Sequence, residues 1–391
     1  MYRIGQEELA ELQKVIETQS LFKVNQGLQE SAQVEEKLRN QFACKHAIFM
    51  TSGHAALVAA LVALGIGPGD EVIVPAYTYI ATAMAVVQAG AIPILAEADD
   101  TLTISPEDVE AKITSRTKAV IPVHIQGFPC NMAAITAIAQ KHGIYVIEDA
   151  CQADGGTFNG KRLGTIGDIG ALSFNYFKII TCGEGGALLT NNKVAYERAL
   201  IYHDSSAVAF FGNQMDGFET KGFCGSEYRS NELCAAVLNV QLTRMDNILT
   251  DLRKNKRYMM EKLADVCRFI PSNDLEGDCG TTLALQFENE TQTLKFKEVL
   301  EGLGGTRPYD TGKHVYTRWE PIMEKRGALN PLMDPFKMEA NKDIVPDYRE
   351  DMCPETLVRL AKVFYISVNP DDTVEKLDQK IACIRTAMNK L

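Results

Sequence analysis

Short apolar runs alternate with turn residues along the first half of the chain. Strands are predicted where these runs lie, at 48–50, 71–75, 144–147, 169–175 and 187–190. The run 144–147 is continuously apolar, which is typical of a fully buried parallel strand. An alanine-rich stretch at 55–64 predicts a helix.

The second half of the chain has a different pattern. Residues 231–241 and 249–265 predict helices, and 281–287 predicts a strand. Between Gly304 and Pro335 the sequence is irregular and rich in Gly, Pro and aromatic residues. We therefore expect a large domain with an N-terminal helical segment over residues 1–245, and a small domain over residues 246–391.

Composition narrows the function classes. A length of 391 residues suffices for two domains with a sizeable core. The net charge of −11, with no compensating basic run, argues against nonspecific nucleic-acid binding. Ten cysteines show neither a Cys-x-x-Cys pair nor metal-ligand spacing, and no secretory signal or membrane-length apolar run is seen. We expect a cytoplasmic protein with free thiols, no metal and no membrane partner.

Lys178 is the main candidate for chemistry, because it lies between two predicted strands. A lone turn lysine is ordinarily solvated. Upstream, however, Glu148 and Asp149 follow the buried strand, where open α/β sheets bind ligands. Asp149 could instead cap a helix, and Glu148 could be solvated or ion-paired. A lysine and a carboxylate together meet the needs of pyridoxal phosphate, whose carbonyl bonds a lysine and whose pyridine nitrogen needs an acidic neighbour.

A phosphate site is indicated by Ser52, Gly53 and His54, which separate a strand from the alanine-rich helix. A helix N-terminus offers free N–H groups and a positive dipole end to an anion. An ordinary turn capped by Ser52 would look the same in sequence. Ser173 could add a hydroxyl to this site, and Tyr79 could stack on a cofactor ring or fill the core.

Taken in order over residues 25 to 250, these motifs resemble the DegT/DnrJ/EryC1/StrS family of sugar aminotransferases. The motifs are Ser52-Gly53, Gly67 to Val72, Pro75 to Tyr79, Glu148 to Gln152, Gly167-Asp168, Ser173 to Lys178 and Gly183 to Gly186. The resemblance implies the PLP-dependent transferase fold type I of aspartate aminotransferase. That fold is α/β, with a mostly parallel seven-stranded sheet in a large PLP-binding domain and a small α+β C-terminal domain. A homodimer with shared active sites is also implied.

The resemblance also assigns roles to residues. Lys178 is implied as the catalytic lysine that binds pyridoxal 5'-phosphate, Asp149 as the partner of the pyridine nitrogen, and Gln152 as the contact of the phenolic oxygen. Tyr79 would stack on the ring. The phosphate would be bound by Ser52, Gly53, His54 and Ser173, and by Arg229 of the neighbouring subunit, within a Gly225 to Ser230 segment similar to a family motif.

Three positions depart from the family pattern. His54 replaces a small hydroxyl residue, Asp154 stands where histidine is common, and Glu227 replaces asparagine. A carboxylate at position 227 would repel a phosphate. Either Arg229 or Asn231 then takes over that contact, or Glu227 faces the substrate.

The implied donor is L-glutamate, or less often glutamine, and the implied acceptor is a keto or aldehyde sugar. Cations gather at Lys313, His314 and Arg318 and could bind an acidic sugar, although a solvated loop could carry the same residues. Segments 225–241 and 313–319 are similar to those of family members that convert 8-oxo-3-deoxy-manno-octulosonate to 8-amino-3,8-dideoxy-manno-octulosonate for lipopolysaccharide. We expect that acceptor.

Three alternatives remain open. Most of the family acts on nucleotide-linked keto-deoxyhexoses, which are the second candidate acceptors. A non-catalytic PLP-binding regulatory protein would keep the cofactor site without turnover. A dehydrating lyase of the same family is disfavoured, because such enzymes carry histidine at the position of Lys178.

Overall fold

The computed structural model describes residues 3–24, 27–210 and 215–391. The strands of the chain are β1 (His46–Met50), β2 (Glu71–Pro75), β3 (Ile92–Ala96), β4 (Thr117–Val120), β5 (Tyr145–Asp149), β6 (Thr157–Phe158), β7 (Lys161–Arg162), β8 (Ile169–Ser173), β9 (Gly186–Thr190), β10 (Arg268–Phe269), β11 (Thr282–Gln286) and β12 (Val363–Ser367). Seven of them form one sheet in the order β1-β9-β8-β5-β4-β2-β3. Strand β9 is antiparallel to both neighbours, and the remaining pairs are parallel. The predicted mostly parallel seven-stranded sheet is confirmed.

Twelve α-helices accompany these strands in the described residues. They are α1 (Gln6–Thr18), α2 (Glu30–Phe42), α3 (Gly53–Ala63), α4 (Ala81–Gln88), α5 (Pro106–Ala111), α6 (Met132–His142), α7 (Lys193–His203), α8 (Glu232–Leu263), α9 (Glu290–Val299), α10 (Glu320–Met323), α11 (Pro354–Ala361) and α12 (Val374–Met388). Short 3₁₀ turns lie at Ile125–Gly127, Ala207–Phe210, Pro308–Asp310, Tyr316–Arg318, Pro335–Lys337 and Glu339–Asn341.

The central sheet separates two apolar clusters, because alternate residues of a strand face opposite sides. In β1, Phe49 joins the cluster that contains α2 and α8, whereas Ile48 and Met50 join the cluster that contains α3 and α4. Helix α3 is buried on nearly every side, which explains why its sequence is almost entirely apolar. The sheet is therefore covered on both faces, as parallel sheets require.

The predicted strands of the large domain are all present, with ends shifted by up to two residues. One prediction was wrong. Segments 231–241 and 249–265 form the single helix α8 instead of two helices. Residues 242–248 contain neither Gly nor Pro, and Met245 and Ile248 continue the buried face without a break.

The C-terminal part contains a three-stranded antiparallel sheet, β10-β11-β12, packed against α8 and α9, and α12 packs in turn against both helices. The boundary predicted at residue 246 falls inside α8, so the division into 1–245 and 246–391 stays a prediction. Within the predicted irregular region 304–335, the chain forms short 3₁₀ turns, the four-residue helix α10 and single-residue β-bridges at Thr306 and Val315.

Candidate active site

A cavity of about 750 Å³ lies at the carboxyl ends of β5 and β8 and is closed on one side by β11 and the end of β12. Ten residues predicted for the site line it together: Ser52, Gly53, His54, Tyr79, Asp149, Gln152, Ser173, Lys178, Lys313 and His314. A volume of this size suits a cofactor-sized ligand, since such pockets typically measure about 300–1,000 Å³.

Asp149 ends strand β5 and is 5% exposed. Its Oδ2 accepts a hydrogen bond of 2.7 Å from the Thr82 hydroxyl, and its Oδ1 accepts one of 3.2 Å from the Cys151 N–H. These two donors fix the orientation of the buried carboxyl group. Asp149 is therefore held as an oriented acceptor for a cationic N–H.

The neighbouring Glu148 has a structural role. It points away from the cavity, is fully buried, and accepts hydrogen bonds from the N–H groups of Gly164, Ile166 and Gly167. His124 Nε2 lies 3.1 Å from the same carboxylate. These bonds fix the loop before β8. Glu148 and Asp149 point in opposite directions because successive side chains of a strand face opposite sides of the sheet.

Lys178 lies in the loop that connects β8 to the antiparallel β9. The loop is held by backbone bonds from Tyr176 N–H to Gly183 O and from Cys182 N–H to Phe174 O, of 3.0 and 3.1 Å. The Lys178 N–H itself donates to Asn175 O at 3.0 Å. This bonding places the lysine opposite the end of β5, in the same cavity as Asp149.

The N-terminus of α3 forms one end of the cavity. Ser52 caps the helix, its hydroxyl accepting a 3.0 Å hydrogen bond from the Ala55 N–H. The N–H groups of Gly53 and His54 precede the first intrahelical bond and remain available for an anion. The ring nitrogens of His54 contact Ala81 O and Gln88 Oε1 at 3.2 and 2.7 Å. The group that His54 offers to an anion is therefore its backbone N–H.

Tyr79, Lys313 and His314 form the rim of the cavity. Backbone bonds from the Thr78 N–H to His314 O and from the Ile80 N–H to Lys313 O join the two segments. The Lys313 ammonium lies 5.6 Å from the centroids of both the Tyr79 and the Phe177 rings. Burial, together with the nearby Lys313 and Lys178, lowers the pKa of His314 to about 4, so its imidazole is neutral at pH 7.

Three predicted residues do not line this cavity. Arg229 Nη2 forms a 2.7 Å ion pair with Glu227 Oε2, and its Nη1 donates to Asp204 O at 3.2 Å. Arg318 is exposed in the 3₁₀ turn Tyr316–Arg318. The roles of Glu227, Arg229 and Arg318 stay predictions, and the role implied for Arg229 concerns the cofactor of a neighbouring subunit.

Asp154, the second departure from the family pattern, is completely buried behind the cavity. Both of its carboxyl oxygens lack a hydrogen-bond partner among the described residues. Burial raises the pKa of Asp154 well above its ordinary value, although the nearby Lys178 opposes this shift. The side chain is therefore a neutral acid at the pH where other aspartates are ionised.

Sequence reasoning missed several residues that surround the site. Thr82 contacts Asp149, while Gln126, Thr281 and Thr282 line the cavity itself. Thr82 follows the Pro75 to Tyr79 motif and lies in helix α4. A threonine in a helix gives no local sequence signal of a contact with Asp149. The pairing of Gln126 with β11 joins residues about 155 positions apart, which no local pattern indicates.

The arrangement fits pyridoxal 5'-phosphate on grounds of donor chemistry. A lysine, an oriented buried carboxylate and a helix N-terminus line one cavity, and these match the carbonyl, the pyridine nitrogen and the phosphate. A cluster of three or more metal-ligating side chains was not found within residues 3–24, 27–210 and 215–391. Over the same described ranges, no helix is both long and apolar enough to cross a membrane.

Comparisons with known proteins agree with this geometry. The model of the DegT/DnrJ/EryC1/StrS aminotransferase family matches residues 2–305. A GDP-perosamine synthase of Vibrio cholerae is 39% identical over 290 residues, which cover 72% of this chain and 76% of that protein.

Solved structures share the whole fold. An aminotransferase from Psychrobacter cryohalolentis has a TM-score of 0.81 at 26% identity, with 99% of this chain and 98% of that one covered. An E. coli GDP-4-keto-6-deoxy-D-mannose-3-dehydratase with bound hydrated PLP also has a TM-score of 0.81, at 20% identity and 98% coverage of both chains. The second likeness concerns the fold alone.

Proposed function

Because the chain belongs to the DegT/DnrJ/EryC1/StrS aminotransferase family, we propose that it transfers an amino group from L-glutamate to an acidic keto or aldehyde sugar. It is a transaminase that uses pyridoxal 5'-phosphate. The acceptor that we propose is 8-oxo-3-deoxy-manno-octulosonate, which would give 8-amino-3,8-dideoxy-manno-octulosonate for lipopolysaccharide.

The position of Lys313 carries this proposal. Its ammonium lies between two aromatic rings at the rim, and no carboxylate of a described residue lies within ion-pair distance of it. A cation on aromatic faces remains able to bind a carboxylate. Since the adjacent His314 is neutral, Lys313 supplies the positive charge at this rim. An acceptor with its own carboxylate uses that charge directly.

The reaction depends on what the side chains of the site do. Pyridoxal phosphate supplies an electron sink when bound. With the cofactor bound, the Lys178 Nζ would act as the base that takes a proton from the α-carbon of the donor and as the acid that delivers it to the C4′ carbon of the cofactor. Asp149 keeps a proton at the pyridine nitrogen, while the α3 N-terminus binds the phosphate.

The absorption spectrum of the purified holoenzyme tests the activity. Adding L-glutamate should convert the cofactor band to that of the amine form, and L-glutamine serves as a second donor. Lys178→Ala should abolish this change, because the variant lacks the proton-transferring amine. A holoenzyme band that ignores both donors would support the regulatory alternative instead.

The acceptor is tested with the same enzyme in its amine form. The eight-carbon acid should restore the original band, and a nucleotide-linked 4-keto-6-deoxyhexose should not. Lys313→Met should raise the KM for the acid about tenfold, equivalent to ~1.4 kcal/mol. If only the nucleotide-linked sugar reacts, the nucleotide-sugar alternative is favoured instead. That sugar is the second candidate because the chain is similar to a GDP-perosamine synthase.

We also infer a homodimer with shared sites, because Arg229 lies outside the cavity of its own chain. Mixed dimers of Lys178→Ala and Arg229→Ala chains test this arrangement. If Arg229 serves the neighbouring site, one site of each mixed dimer is intact and activity returns on mixing. If Arg229 serves its own site, mixing restores nothing.

All ten cysteines are free, which supports a reducing cytoplasmic location.

A further inference from the structure

The 3₁₀ turn Ile125–Gly127 follows the end of β4 and contributes Gln126 to the cavity. Gln126 has φ 54° and ψ 18°, a left-handed conformation that residues other than glycine seldom adopt. Gly127 follows with φ 81°. Such backbone conformations persist only where surrounding contacts impose them, and they concentrate at functional sites.

Those contacts come from the segment that leads into β11. The Cys279 N–H donates to Gly127 O at 3.1 Å, and the Thr281 hydroxyl donates to Gln126 O at 2.7 Å. The Thr282 hydroxyl donates to Gln126 Oε1 at 3.0 Å. Thr282 is itself 5% exposed, and its bond to Gln126 is partly buried. Both the backbone and the side chain of Gln126 are thus fixed by the C-terminal part of the chain.

Gln126 in turn fixes a residue of the large domain. Its N–H donates to Gln152 Oε1 at 3.0 Å. An amide whose oxygen is held in this way presents its NH₂ group in one remaining direction. Gln152 also lines the cavity, in the same chain segment as Asp149. A bond from Gln126 therefore decides which end of the Gln152 amide is available to a ligand.

We propose that Gln126 is a positioning residue that holds the Gln152 amide as a donor to the phenolic oxygen of the cofactor and transmits to it the position of strand β11. This inference rests on the assignment of Gln152 to that oxygen, and it is independent of which sugar is the acceptor. Closure or displacement of β11 would then change the electronic state of the cofactor without touching it.

The expected signature is a pH shift. A donor to the phenolic oxygen stabilises its anionic form, and that oxygen otherwise shares the proton of the nitrogen that links Lys178 to the cofactor. Without the donor, the phenolic oxygen and the linking nitrogen bind that proton more tightly. The pH midpoint of the visible absorption change should therefore rise. Thr282→Val removes the hydroxyl at nearly constant shape and should raise the midpoint by about half a pH unit.

Matched variants separate positioning from stability. Thr282→Ser keeps the hydroxyl and should restore the wild-type midpoint, and Thr386→Val, an exposed threonine of α12, should change nothing. Gln152→Ala should raise the midpoint further, and adding Thr282→Val to it should have no additional effect, as in a double-mutant cycle. The cofactor Kd and the thermal midpoint of the apoenzyme are measured for each variant.

Several outcomes would overturn the proposal. One is a lower thermal midpoint in Thr282→Val with an unchanged pH midpoint, which indicates a purely structural role. Another is an equal shift from Thr282→Val in the wild-type and Gln152→Ala backgrounds. An unchanged midpoint in Gln152→Ala itself would remove the premise about the phenolic oxygen, whereas the aminotransferase proposal would stand. If Thr282→Val does not fold, Thr281→Val provides the same test on Gln126 O.

Discussion

Two aspartates five positions apart show how strongly local contacts decide the state of a residue. Asp149 accepts hydrogen bonds from Thr82 and Cys151, whereas Asp154 is buried with no partner among the described residues. Donors favour the charged form of a carboxyl group, and burial without donors favours the neutral form. The contacts of the first aspartate therefore orient its carboxyl group, whereas burial raises the pKa of the second well above its ordinary value.

We predict that Thr82→Val weakens cofactor binding. The variant removes a 2.7 Å hydrogen bond to a buried carboxylate, a type of bond worth about 1.5–3 kcal/mol. The Kd for pyridoxal phosphate, measured by absorbance on the apoenzyme, should rise at least about tenfold. Thr82→Ser, which retains the hydroxyl, is the control. Equal affinity in the valine and serine variants would show that the hydroxyl does not support Asp149.

We predict that Asp154 makes stability depend on pH. Unfolded aspartate ionises near pH ~3.9, whereas the pKa of folded Asp154 is well above its ordinary value. Above pH ~3.9, folded Asp154 holds a proton that the unfolded chain has lost. The free energy of unfolding therefore falls as pH rises, by about 1.4 kcal/mol per pH unit, until the pKa of folded Asp154 is passed. Asp154→Asn lacks this loss.

Urea unfolding of both apoenzymes from pH 4 to 8 measures the difference. The asparagine variant should gain stability relative to the wild type as pH rises. A difference that stays constant with pH would mean that Asp154 is ionised in the folded state or paired in solution.

At the residue scale, the residues that sequence reasoning selected are those whose own side-chain chemistry suggests a role. Lys178 and Asp149 were recognisable because a lysine and an acid next to buried strands are unusual. Gln126 was not, because its importance comes from a backbone N–H and from two threonines far away in the chain. The tertiary fold creates such contacts, and no local pattern precedes them.

The elements that form the proposed phosphate site approach each other at backbone distance. A Cβ atom on Gly186 of β9 would lie 2.2 Å from the Ser52 carbonyl carbon and 2.5 Å from the Gly53 nitrogen. Contacts this short cannot be relieved by a rotamer change, because the obstacle is backbone. Glycine at position 186 thus allows the N-terminus of α3 to lie against β9.

We predict that Gly186→Ala displaces the first turn of α3 and loses both stability and cofactor affinity. Overpacking of this kind costs about 1–3 kcal/mol. Thermal unfolding of the apoenzyme and a phosphate titration of the site by calorimetry would detect the two effects. Gly312→Ala is the matched control, because a Cβ there meets no atom within 4 Å. Unchanged anion binding in Gly186→Ala would mean that α3 does not form the phosphate site.

Elements with a short apolar run and flanking turns were predictable, as the strands β1, β2, β5, β8 and β9 show. The length of α8 was not. Two helices, 231–241 and 249–265, were expected on either side of a boundary near residue 246, but the buried face of α8 continues through this stretch without interruption. Chain breaks are better indicated by Gly and Pro, which are absent from residues 242–248.

At the scale of the whole molecule, the two apolar clusters both cross the predicted boundary at residue 246. One contains Phe49 and Leu283, and the other contains Ile48 and Trp319. Helix α8 is shared as well, since Ile248 and Leu252 line the cavity beside Lys178. A fragment ending at residue 245 would expose apolar surface that the intact chain buries.

This shared core predicts that the two parts unfold together. Trp319 is the only tryptophan of the chain, is completely buried, and donates from its indole N–H to Lys313 O at 3.3 Å. Its fluorescence therefore reports on the C-terminal part where that part packs against the large sheet. Far-UV circular dichroism reports mainly on the helices of the entire chain. In urea, the two signals measured on the apoenzyme should follow one transition with the same midpoint, because neither part has a complete core of its own.

The measurement is repeated at two protein concentrations, so that dissociation of a dimer is recognised by its concentration dependence. A fluorescence transition that precedes the loss of circular dichroism would show instead that the C-terminal part unfolds alone, and it would support a division of the chain into independent domains near residue 246.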